Sequence, residues 1–298
     1  MKIAVTGSSG LIGTALVAHL RGAGHEVLRL VRRDPDAPDE VRWDPTAGTV
    51  DLDRLGGVDG VVNLAGVGVG DHRWSESYKR DVLDSRVDAT TTIAHAIAGL
   101  TPRPSVLVSA SACGWYGDTG STRVDETAPN ARGHYFADVV RQWEEAADPA
   151  RAAGVRVVHP RSGLVMTRKG GAFGRMLPIV KLGAGGPLGS GRQYWPVVSL
   201  RDEVRAITFL LTGDLEGPVN VCVPDPPTNK EFTQALGRAV HRPTLLPAPG
   251  FAIRAVIGEF GSEVLMSTRM VPAKLLAAGF VFDDPTTEDV VRAALQDG

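Results

Sequence analysis

The sequence predicts an α/β fold in which helices cover both faces of a doubly wound parallel sheet, with a smaller C-terminal lobe attached. Three observations predict it. A short β-prone run, residues 3–5, meets a glycine-rich turn and then a helical apolar pattern. Further strand-like apolar runs alternate with helical stretches as far as residue 223, which is typical of βαβ units. The composition then shifts: residues 168–196 are rich in glycine, and the chain from residue 229 onward has a mostly helical pattern.

The bulk composition is ordinary for a soluble globular protein. The 298 residues are 43% hydrophobic and 22% charged, and the formal net charge of -2 argues against a general nucleic-acid or membrane partner. Cys113 and Cys222 are too few and too far apart for a disulfide framework or a metal site. Apolar runs stay well short of the ~20 residues of a membrane span, and a strand begins at once where a secretory signal would lie. We therefore expect a cytoplasmic protein without a bound metal.

The glycine-rich turn follows the first strand and opens the first helix. Gly7, Gly10 and Gly13 have the spacing G-x-x-G-x-x-G. In a Rossmann βαβ unit such glycines make the tight turn, let the backbone approach a pyrophosphate and let the helix pack on the strand. The pyrophosphate would lie at the helix N-terminus. A simple Gly/Ser-rich turn is the alternative, and the position between strand and helix argues against it.

Each remaining element follows from its local pattern, because apolar runs predict buried strands and apolar residues at three- and four-residue steps predict helices. The predicted strands cover residues 26–31, about 41–43, 59–64, 105–110, 155–159 and 218–223, and the predicted helices cover 74–98, 135–147, 200–211 and a last stretch after Pro285. We therefore expect a Rossmann nucleotide-binding domain over residues 1–165, completed by 200–223, and a substrate lobe over 166–199 and 224–298.

Two arginines at the end of the second predicted strand decide the expected cofactor. NAD-binding proteins usually have an acid here for the ribose 2′-hydroxyl, whereas an arginine accommodates a 2′-phosphate. Arg32 and Arg33 occupy this place, and Asp34 comes only after both. We therefore expect NADP(H), although two arginines can also simply solvate a strand end.

Small and polar residues follow other strands at the carboxyl edge of the sheet, where such folds bind ligands. Ala65 and Gly66 would let an adenosine lie close to the backbone, and Ser109 and Ser111 place hydroxyl groups at a strand tip.

The glycine-rich residues 168–196 predict long loops that cover a substrate, with a flexible surface excursion as the alternative. Lys169, Arg175 and Arg192 in this region are candidates to hold an anionic group. We expect a small-molecule substrate, and association of two copies into a homodimer stays open.

Several blocks, in order along nearly the whole chain, together resemble one family. The blocks are Val5-Thr6-Gly7 through Gly13, Asn63 to Gly66, Arg73-Trp74, Ser85-Arg86, Ser109 to Ala112, Trp143-Glu144, Lys169 to Ala172, Leu182 to Gln193, Gly217 to Asn220, Arg242-Pro243 and Pro272 to Phe280. With them the chain resembles the atypical extended short-chain dehydrogenase/reductases, in the sugar-nucleotide-epimerase-like subgroup that ends in a small C-terminal domain of unknown function.

This resemblance implies a doubly wound sheet with an appended substrate lobe and NADP(H). Together with the motifs above it places the cofactor contacts at one set of positions. They are Gly7, Ser9, Gly10, Leu11, Ile12, Gly13, Arg32, Arg33, Leu64, Ala65, Gly66, Asp81, Arg86, Ser109, Arg161 and Val165. The resemblance implies no particular substrate.

Members of this superfamily usually transfer hydride with a tyrosine and a lysine four residues later, whose charge lowers the tyrosine pKa. Ser111 matches the serine that holds the substrate oxygen. Tyr135 lies near the place of the tyrosine, but Val139 stands where the lysine is expected. Tyr135 or Tyr116 would then act as the acid, which favours carbonyl reduction over alcohol oxidation; Tyr116 could instead line the nucleotide pocket.

The chain also departs from its relatives around the expected substrate pocket. Gly66-Val67-Gly68 stands where relatives usually have Gly-Glu-Asn, and Val197-Val198-Ser199 stands where they often have Trp-Ile-His or Trp-Ile-Ser. These changes suggest a less polar substrate.

Three functions therefore stay open: an NADP(H)-dependent oxidoreductase or epimerase acting on a small carbonyl or hydroxyl compound such as a nucleotide sugar, an NADP(H)-binding regulator without turnover, and a non-redox isomerase or lyase.

Overall fold

A nine-stranded sheet forms the centre of the molecule in the computed structural model, which describes residues 1–297. The strands are β1 (Lys2–Thr6), β2 (Glu26–Val31), β3 (Glu40–Asp44), β4 (Thr49–Val50), β5 (Gly60–Asn63), β6 (Val106–Ser109), β7 (Ser111–Ala112), β8 (Arg123–Val124), β9 (Arg156–Ser162), β10 (Leu164–Met166), β11 (Val197–Ser199), β12 (Gly217–Val221) and β13 (Arg269–Met270). The order across the large sheet is β12-β9-β6-β5-β1-β2-β3-β4, and β7 also pairs with β9. Its strands pair in parallel except for β3 with β4.

Helices connect these strands and cover the sheet. They are α1 (Leu11–Gly22), α2 (Leu52–Leu55), α3 (Glu76–Gly99), α4 (Tyr135–Glu145), α5 (Asp148–Ala152), α6 (Gly171–Lys181), α7 (Leu200–Thr212), α8 (Asn229–Ala239), α9 (Gly250–Ile257), α10 (Phe260–Val264), α11 (Ala273–Ala277) and α12 (Thr287–Gln296). Among residues 1–297, no helix combines the length and hydropathy that crossing a membrane requires.

The alternation of side chains along each strand divides the core into two layers. Ile3 and Val5 of β1 face a layer that includes residues of α1 and α7, whereas Ala4 faces the opposite layer, which includes residues of α3. This is the period of two that a strand imposes, and with both faces apolar the strand reads as a continuous hydrophobic run. The doubly wound α/β fold expected from the sequence is confirmed.

A third apolar cluster lies outside these two layers. It joins buried residues of α6, α8 and α12 with the two-stranded sheet of β10 and β11, for example Phe173, Phe232 and Val290. The C-terminal part of the chain is divided between two cores, because Leu275, Phe280 and Phe282 pack with the α1–α7 layer of the large sheet instead.

One expectation for residues 168–196 needs correction. This region was predicted as loops because of its glycines, but residues 171–181 form α6. Phe173, Leu177 and Val180 recur at helical steps and are all buried in the third cluster, so burial of this stripe outweighs the low helix propensity of Gly174 and of Pro178 within the helix.

The order of strands reverses at β1, because β2 lies on one side of it and β5 on the other. The crevice at the carboxyl ends of β1 and β5 is therefore the topological switch point, where doubly wound folds bind ligands.

Candidate functional site

The glycine-rich turn lies in this crevice and is closed against the backbone on two sides. Gly7 has φ +63°, and a Cβ there would lie 2.7 Å from the carbonyl carbon of Leu64. A Cβ on Gly13 would lie 2.1 Å from the carbonyl oxygen of Gly7. Only glycine fits at these two positions, which keeps the start of α1 in contact with the ends of β1 and β5.

The N-terminus of α1 is open for an anion. The N-cap residue is Gly10, which has no side chain to satisfy the first N–H groups, and the first turn contains no acidic residue. Ser9 is exposed beside it, while Leu11 and Ile12 are half-buried. Uncapped N–H groups together with the positive end of the helix dipole favour a phosphate at this place.

A buried polar network holds the ends of three adjacent strands together. Oγ1 of Thr6 donates to Oδ1 of Asn63 at 2.6 Å, and Nδ2 of Asn63 donates to the hydroxyls of Thr90 and Ser109 at 2.8 and 3.2 Å. The backbone N–H groups of Leu64 and Ala65 in turn donate to Oγ1 of Thr6, at 3.1 and 3.2 Å. Ser109, expected at the cofactor, thus lies fully buried beneath the edge, where its hydroxyl supports the strand ends.

The two arginines after β2 differ in their partners. Nη1 of Arg33 donates to Oε2 of Glu40 at 2.7 Å, and Asp36 is also within ion-pair distance. Glu40 is fully buried, and the hydrogen bonds from Arg33 and from the backbone N–H of Asp36 lower its pKa to about 2. Arg32 is exposed and forms no side-chain hydrogen bond or ion pair within residues 1–297. Of the pair, Arg32 is the cation available to a ligand.

Arg86 on α3 is a buried cation without a carboxylate. The residue is 8% exposed, and burial lowers its pKa to about 10. Nη1 donates to the carbonyl oxygen of Val82 at 2.9 Å, whereas Nε is buried with no partner among the described residues. Its side chain packs against Gly66, where a Cβ would lie 3.2 Å from Cγ of Arg86. Asp81, the other expected cofactor residue of this helix, is exposed.

Ser111 belongs to a second buried network, centred on an ion pair. Its hydroxyl donates to Oε1 of Glu144 at 2.6 Å, and Glu144 also accepts from Nε and Nη2 of Arg161 at 2.8 and 2.9 Å. Arg161 donates to the hydroxyl of Tyr116, which itself donates to Asn220 at 2.7 Å. Burial raises the pKa of Tyr116 to about 12.

This network brings Ser111, Tyr116 and Arg161 together, and all three are at least nine-tenths buried. Val165, the last expected cofactor contact, is half-buried in β10 and packs against the α1–α7 layer.

Tyr135 is not part of that network. It begins α4, and its hydroxyl donates to the carbonyl oxygen of Lys79 at 2.6 Å. Trp74 lies against its ring edge-on, with centroids 5.0 Å apart. Burial raises the pKa of Tyr135 to about 12, although the charges of Arg86 and Lys79 act to lower it. Lys79, with Nζ 5.3 Å from the ring centroid, supplies from α3 a positive charge near Tyr135, whereas α4 has Val139 in place of the expected lysine.

The three basic residues expected at the substrate are all exposed. Arg175 is exposed and donates to the carbonyl oxygen of Gly70, with Asp71 3.3 Å away. Lys169 and Arg192 are exposed, and within residues 1–297 no side-chain hydrogen bond or ion pair links either of them to Arg175.

The C-terminal helices border Tyr135, and sequence reasoning missed the residues that they bring there. Phe260 of α10 packs on Trp74, with ring centroids 5.4 Å apart. Glu263 of the same helix lies 3.2 Å from Nε2 of His134, directly before Tyr135. A buried carboxyl next to the helix that carries a candidate tyrosine has no local sequence signal, because α10 is far along the chain. Of these residues, the sequence indicated only Tyr135, at the start of a predicted helix.

Comparison with known proteins gives matches over almost the whole chain. Residues 3–222 match the model of the NAD dependent epimerase/dehydratase family, and residues 248–294 match a domain of unknown function, DUF1731. The chain is 43% identical over 294 residues to an epimerase family protein of Mycobacterium leprae, a match that covers 98% of this chain and 95% of that protein.

Two solved structures are also similar. The crystal structure of human epimerase family protein SDR39U1 with NADPH has a TM-score of 0.91 and 33% identity, over 99% of this chain and 100% of that one. The nucleoside-diphosphate sugar epimerase of Corynebacterium glutamicum has a TM-score of 0.80 and 31% identity, over 99% of this chain and 58% of that one.

Proposed function

The chain belongs to the NAD dependent epimerase/dehydratase family, as its sequence motifs indicate, and we propose that it is an NADP(H)-dependent oxidoreductase or epimerase. Its substrate is a small carbonyl or hydroxyl compound, with nucleotide sugars as the first class to test. A relative whose solved structure contains NADPH, and another described as a nucleoside-diphosphate sugar epimerase, support the cofactor and the substrate class respectively.

The contrast between Arg32 and Arg33 carries the choice of cofactor. Both follow β2, where a ribose 2′ substituent lies in folds of this type. Arg33 is already neutralised by the buried Glu40, which Arg29 also reaches at 3.0 Å. The unpaired guanidinium of Arg32 suits a 2′-phosphate, because arginine presents several donors to phosphate oxygens.

The remaining residues around the crevice fit the rest of a dinucleotide. The uncapped start of α1 suits the pyrophosphate, and the exposed backbone at Gly66 leaves room for the adenosine half. The orphaned Nε of Arg86 is a buried donor that still needs an acceptor, and a bound nucleotide would supply one. We assign the set of cofactor contacts expected from the sequence to this site, with Ser109 and Arg161 acting through the buried networks that they support.

When bound, NADP(H) supplies or accepts the hydride. The protein must then donate or accept a proton at the substrate oxygen. Tyr135 keeps its proton at neutral pH, because its pKa is about 12, so it is a donor and a poor base. To donate, it must first release the carbonyl oxygen of Lys79. Ser111 would orient the substrate oxygen only after its hydroxyl leaves Glu144, and Tyr116 is held deeper, against Asn220.

We assign residues 1–165 and 200–223 to nucleotide binding, and residues 166–199 and 224–298 to the substrate lobe. The separate apolar core of α6, α8 and α12 supports this division. Arg175, which lies against Gly70 and Asp71, is placed best of the three expected basic residues to meet a substrate beside Trp74. Lys169 and Arg192, both exposed, stay candidates to hold an anionic group of the substrate.

A regulator that binds NADP(H) without turnover is the second candidate. This candidate is favoured because each of the three candidate catalytic hydroxyl groups already donates a hydrogen bond to an acceptor in the protein. The three residues are Ser111, Tyr116 and Tyr135. Such a protein would still bind the nucleotide through Arg32 but would convert no substrate.

Calorimetric titration of the full chain with NADPH and with NADH tests the proposal. We expect tight binding of NADPH and weak binding of NADH. Arg32→Ala should weaken NADPH binding at least 10-fold, because it removes a charge-assisted contact worth about 1.5–3 kcal/mol, and should leave NADH binding unchanged. Arg33→Ala is the matched control and should change NADPH affinity much less.

Equal affinity for the two nucleotides, or an Arg32→Ala variant that binds NADPH like the wild type, would contradict the cofactor assignment. Oxidation of bound NADPH by any member of a panel of carbonyl compounds and keto-sugar nucleotides then separates the enzyme from the regulator.

A further inference from the structure

His134 and Glu263 form a partly buried contact between two parts of the chain, and the proposed reaction does not yet use it. His134 directly precedes α4, and Glu263 lies in α10. Nε2 of the imidazole is 3.2 Å from Oε1 of the carboxyl group. The side chain of Glu263 is 16% exposed and that of His134 is 34% exposed, so the pair extends from the interior to solvent.

The surroundings of Glu263 favour its neutral form. Burial, with a smaller contribution from the negative charge of Glu259, raises its pKa to about 7. Glu259 is itself paired with Lys79 at 3.0 Å. Cys113 and Tyr135 also lie near enough for the charge of Glu263 to raise their pKa values, after burial as the main cause in both. A carboxylic acid that titrates near neutral pH can both give and take a proton under ordinary conditions.

One ring nitrogen of His134 has no hydrogen-bond partner among the described residues. Nε2 faces Glu263, whereas Nδ1 is buried with no hydrogen-bond partner within residues 1–297. A buried ring nitrogen without a partner is uncommon and needs an explanation, such as a catalytic role of its surroundings. The neighbouring ring of Tyr135 packs on Trp74, which in turn packs on Phe260, so the pair borders the aromatic side of the candidate site.

We propose that Glu263 is the catalytic acid and base at the substrate oxygen, and that His134 is a positioning residue that holds its carboxyl group. This inference rests on the proposed function. Glu263 would perform the proton exchange for which members of the superfamily usually use a tyrosine and a lysine four residues later, because Val139 stands at the place of the lysine in this chain.

The step balances for a carbonyl substrate reduced with NADPH. The carbonyl carbon gains the hydride, the C=O π bond breaks, and the oxygen takes the proton of the Glu263 carboxyl group. The substrate is reduced to an alcohol, the nicotinamide is oxidised, and Glu263 is left as a carboxylate. A proton from solvent restores the acid, because the side chain of Glu263 is itself 16% exposed. In the reverse direction the carboxylate removes the hydroxyl proton of the alcohol.

The first test measures protonation directly, without cofactor. Glu203 is a second buried acid with a pKa of about 7, so infrared titration of the full chain is best done in a Glu203→Gln background. We expect one carboxylic acid band that titrates near neutral pH, that is missing with Glu263→Gln and that remains with the exposed control Glu288→Gln. His134→Asn should shift its midpoint upward, because the carboxylate loses the polar imidazole that lies 3.2 Å from its Oε1 and favours the charged form.

The second test uses the NADPH complex and phenanthrenequinone, a small aromatic dicarbonyl, in single turnovers across pH. Glu263→Gln should slow reduction about 100-fold or more, Glu263→Asp should recover part of the rate, and NADPH affinity should be unchanged in both. His134→Asn should move the pH profile in the direction of the infrared midpoint.

The outcomes distinguish the two proposals. Absence of NADPH binding, or a wild-type complex that reduces no carbonyl probe, contradicts the proposed function. In that case the infrared titration alone tests the inference about Glu263 and His134. If His134→Asn leaves the midpoint of the Glu263 band unchanged, the positioning role of His134 is wrong. With an active wild type, a Glu263→Gln variant that reduces the probe at the wild-type rate overturns the inference, as does a pH profile unaffected by His134→Asn.

Discussion

The guanidinium of Arg86 lies over the indole ring of Trp143, with Cζ 5.0 Å from the ring centroid, and within residues 1–297 it meets no carboxylate. An aromatic face stabilises a desolvated cation by about 2 kcal/mol, which compensates only part of the cost of several kcal/mol of burying the charge. The nucleotide-free protein therefore carries a destabilising charge that an anionic ligand would compensate.

Arg86→Met should consequently raise stability and lower nucleotide affinity together. We expect the free energy of unfolding without nucleotide to increase by about 1 kcal/mol, because a buried unpaired charge is replaced by an apolar side chain of similar length. NADPH affinity should fall at least 10-fold. Urea unfolding and calorimetric titration measure the two effects. Arg80→Met, at an exposed position of α3, should change neither quantity appreciably, and a destabilised Arg86→Met protein would contradict this account.

The contact between Gly13 and the carbonyl oxygen of Gly7 leads to a second prediction. Gly13→Ala should lower the free energy of unfolding by about 3 kcal/mol or more, because its Cβ would overlap that oxygen and force β1 and α1 apart. It should also abolish NADPH binding. Gly22→Ala, in the last turn of α1, has nothing within 4 Å of the added Cβ and should instead stabilise by about 0.5–1 kcal/mol. Thermal unfolding of the two variants beside the wild type gives the comparison.

The buried ion pair of Glu144 and Arg161 leads to a third prediction, which concerns stability. Glu144→Gln should reduce the free energy of unfolding by about 3 kcal/mol, since it leaves Arg161 buried without its counter-charge. The adjacent Glu145 is exposed and pairs with Arg141 one turn away, so Glu145→Gln should change stability by about 0.5 kcal/mol or less. Chemical denaturation of both variants is the measurement, and equal effects would show that the buried network has little energetic weight.

Glu203 makes stability depend on pH. Burial raises its pKa from 4.5 to about 7, and only the hydroxyl of Ser162 donates to it among the described residues. The folded chain thus binds this proton more tightly than the unfolded chain does. The resulting stability is complete below pH 4.5 and is lost as the pH rises through about 7.

The free energy of unfolding of the wild type should fall by about 3 kcal/mol as the pH rises from 4.5 to well above 7, and Glu203→Gln should remove this fall. The variant should therefore be the more stable protein in mildly alkaline solution. Urea unfolding at several pH values measures this. The contribution of Glu263 to the pH dependence of stability should remain in this variant, because its pKa is raised in the same direction. If the variant kept the full slope of the wild type, Glu203 would not titrate as described.

Local patterns made most of the fold predictable. The strand, glycine turn and helix at the start of the chain depend on neighbouring residues, and so do the two arginines after β2. The α6 helix was missed because its glycines and Pro178 hid a stripe that only tertiary burial makes helical.

The site was harder to predict, because its key relationships join distant residues. That Arg33 is neutralised while Arg32 is free depends on where the turn after β2 places Glu40. That Glu263 meets His134 depends on the docking of α10 beside α4. Neither relationship leaves a periodic or local trace in the sequence, since both result from packing between elements that are separate along the chain.

Helix α9 has no buried side chain, and Phe251 and Val256 on it are largely exposed. Its contact with the segment before α3 is a hydrogen bond from Arg73 to the carbonyl oxygen of Ala255. Opening of this helix would break that hydrogen bond and the packing of the helix against α10, and would expose no fully buried side chain of α9. Its amide hydrogens should therefore exchange with solvent through a local opening, long before the sheet beneath unfolds. Helix α9 can thus open without any loss of the central sheet and of the helices that cover it.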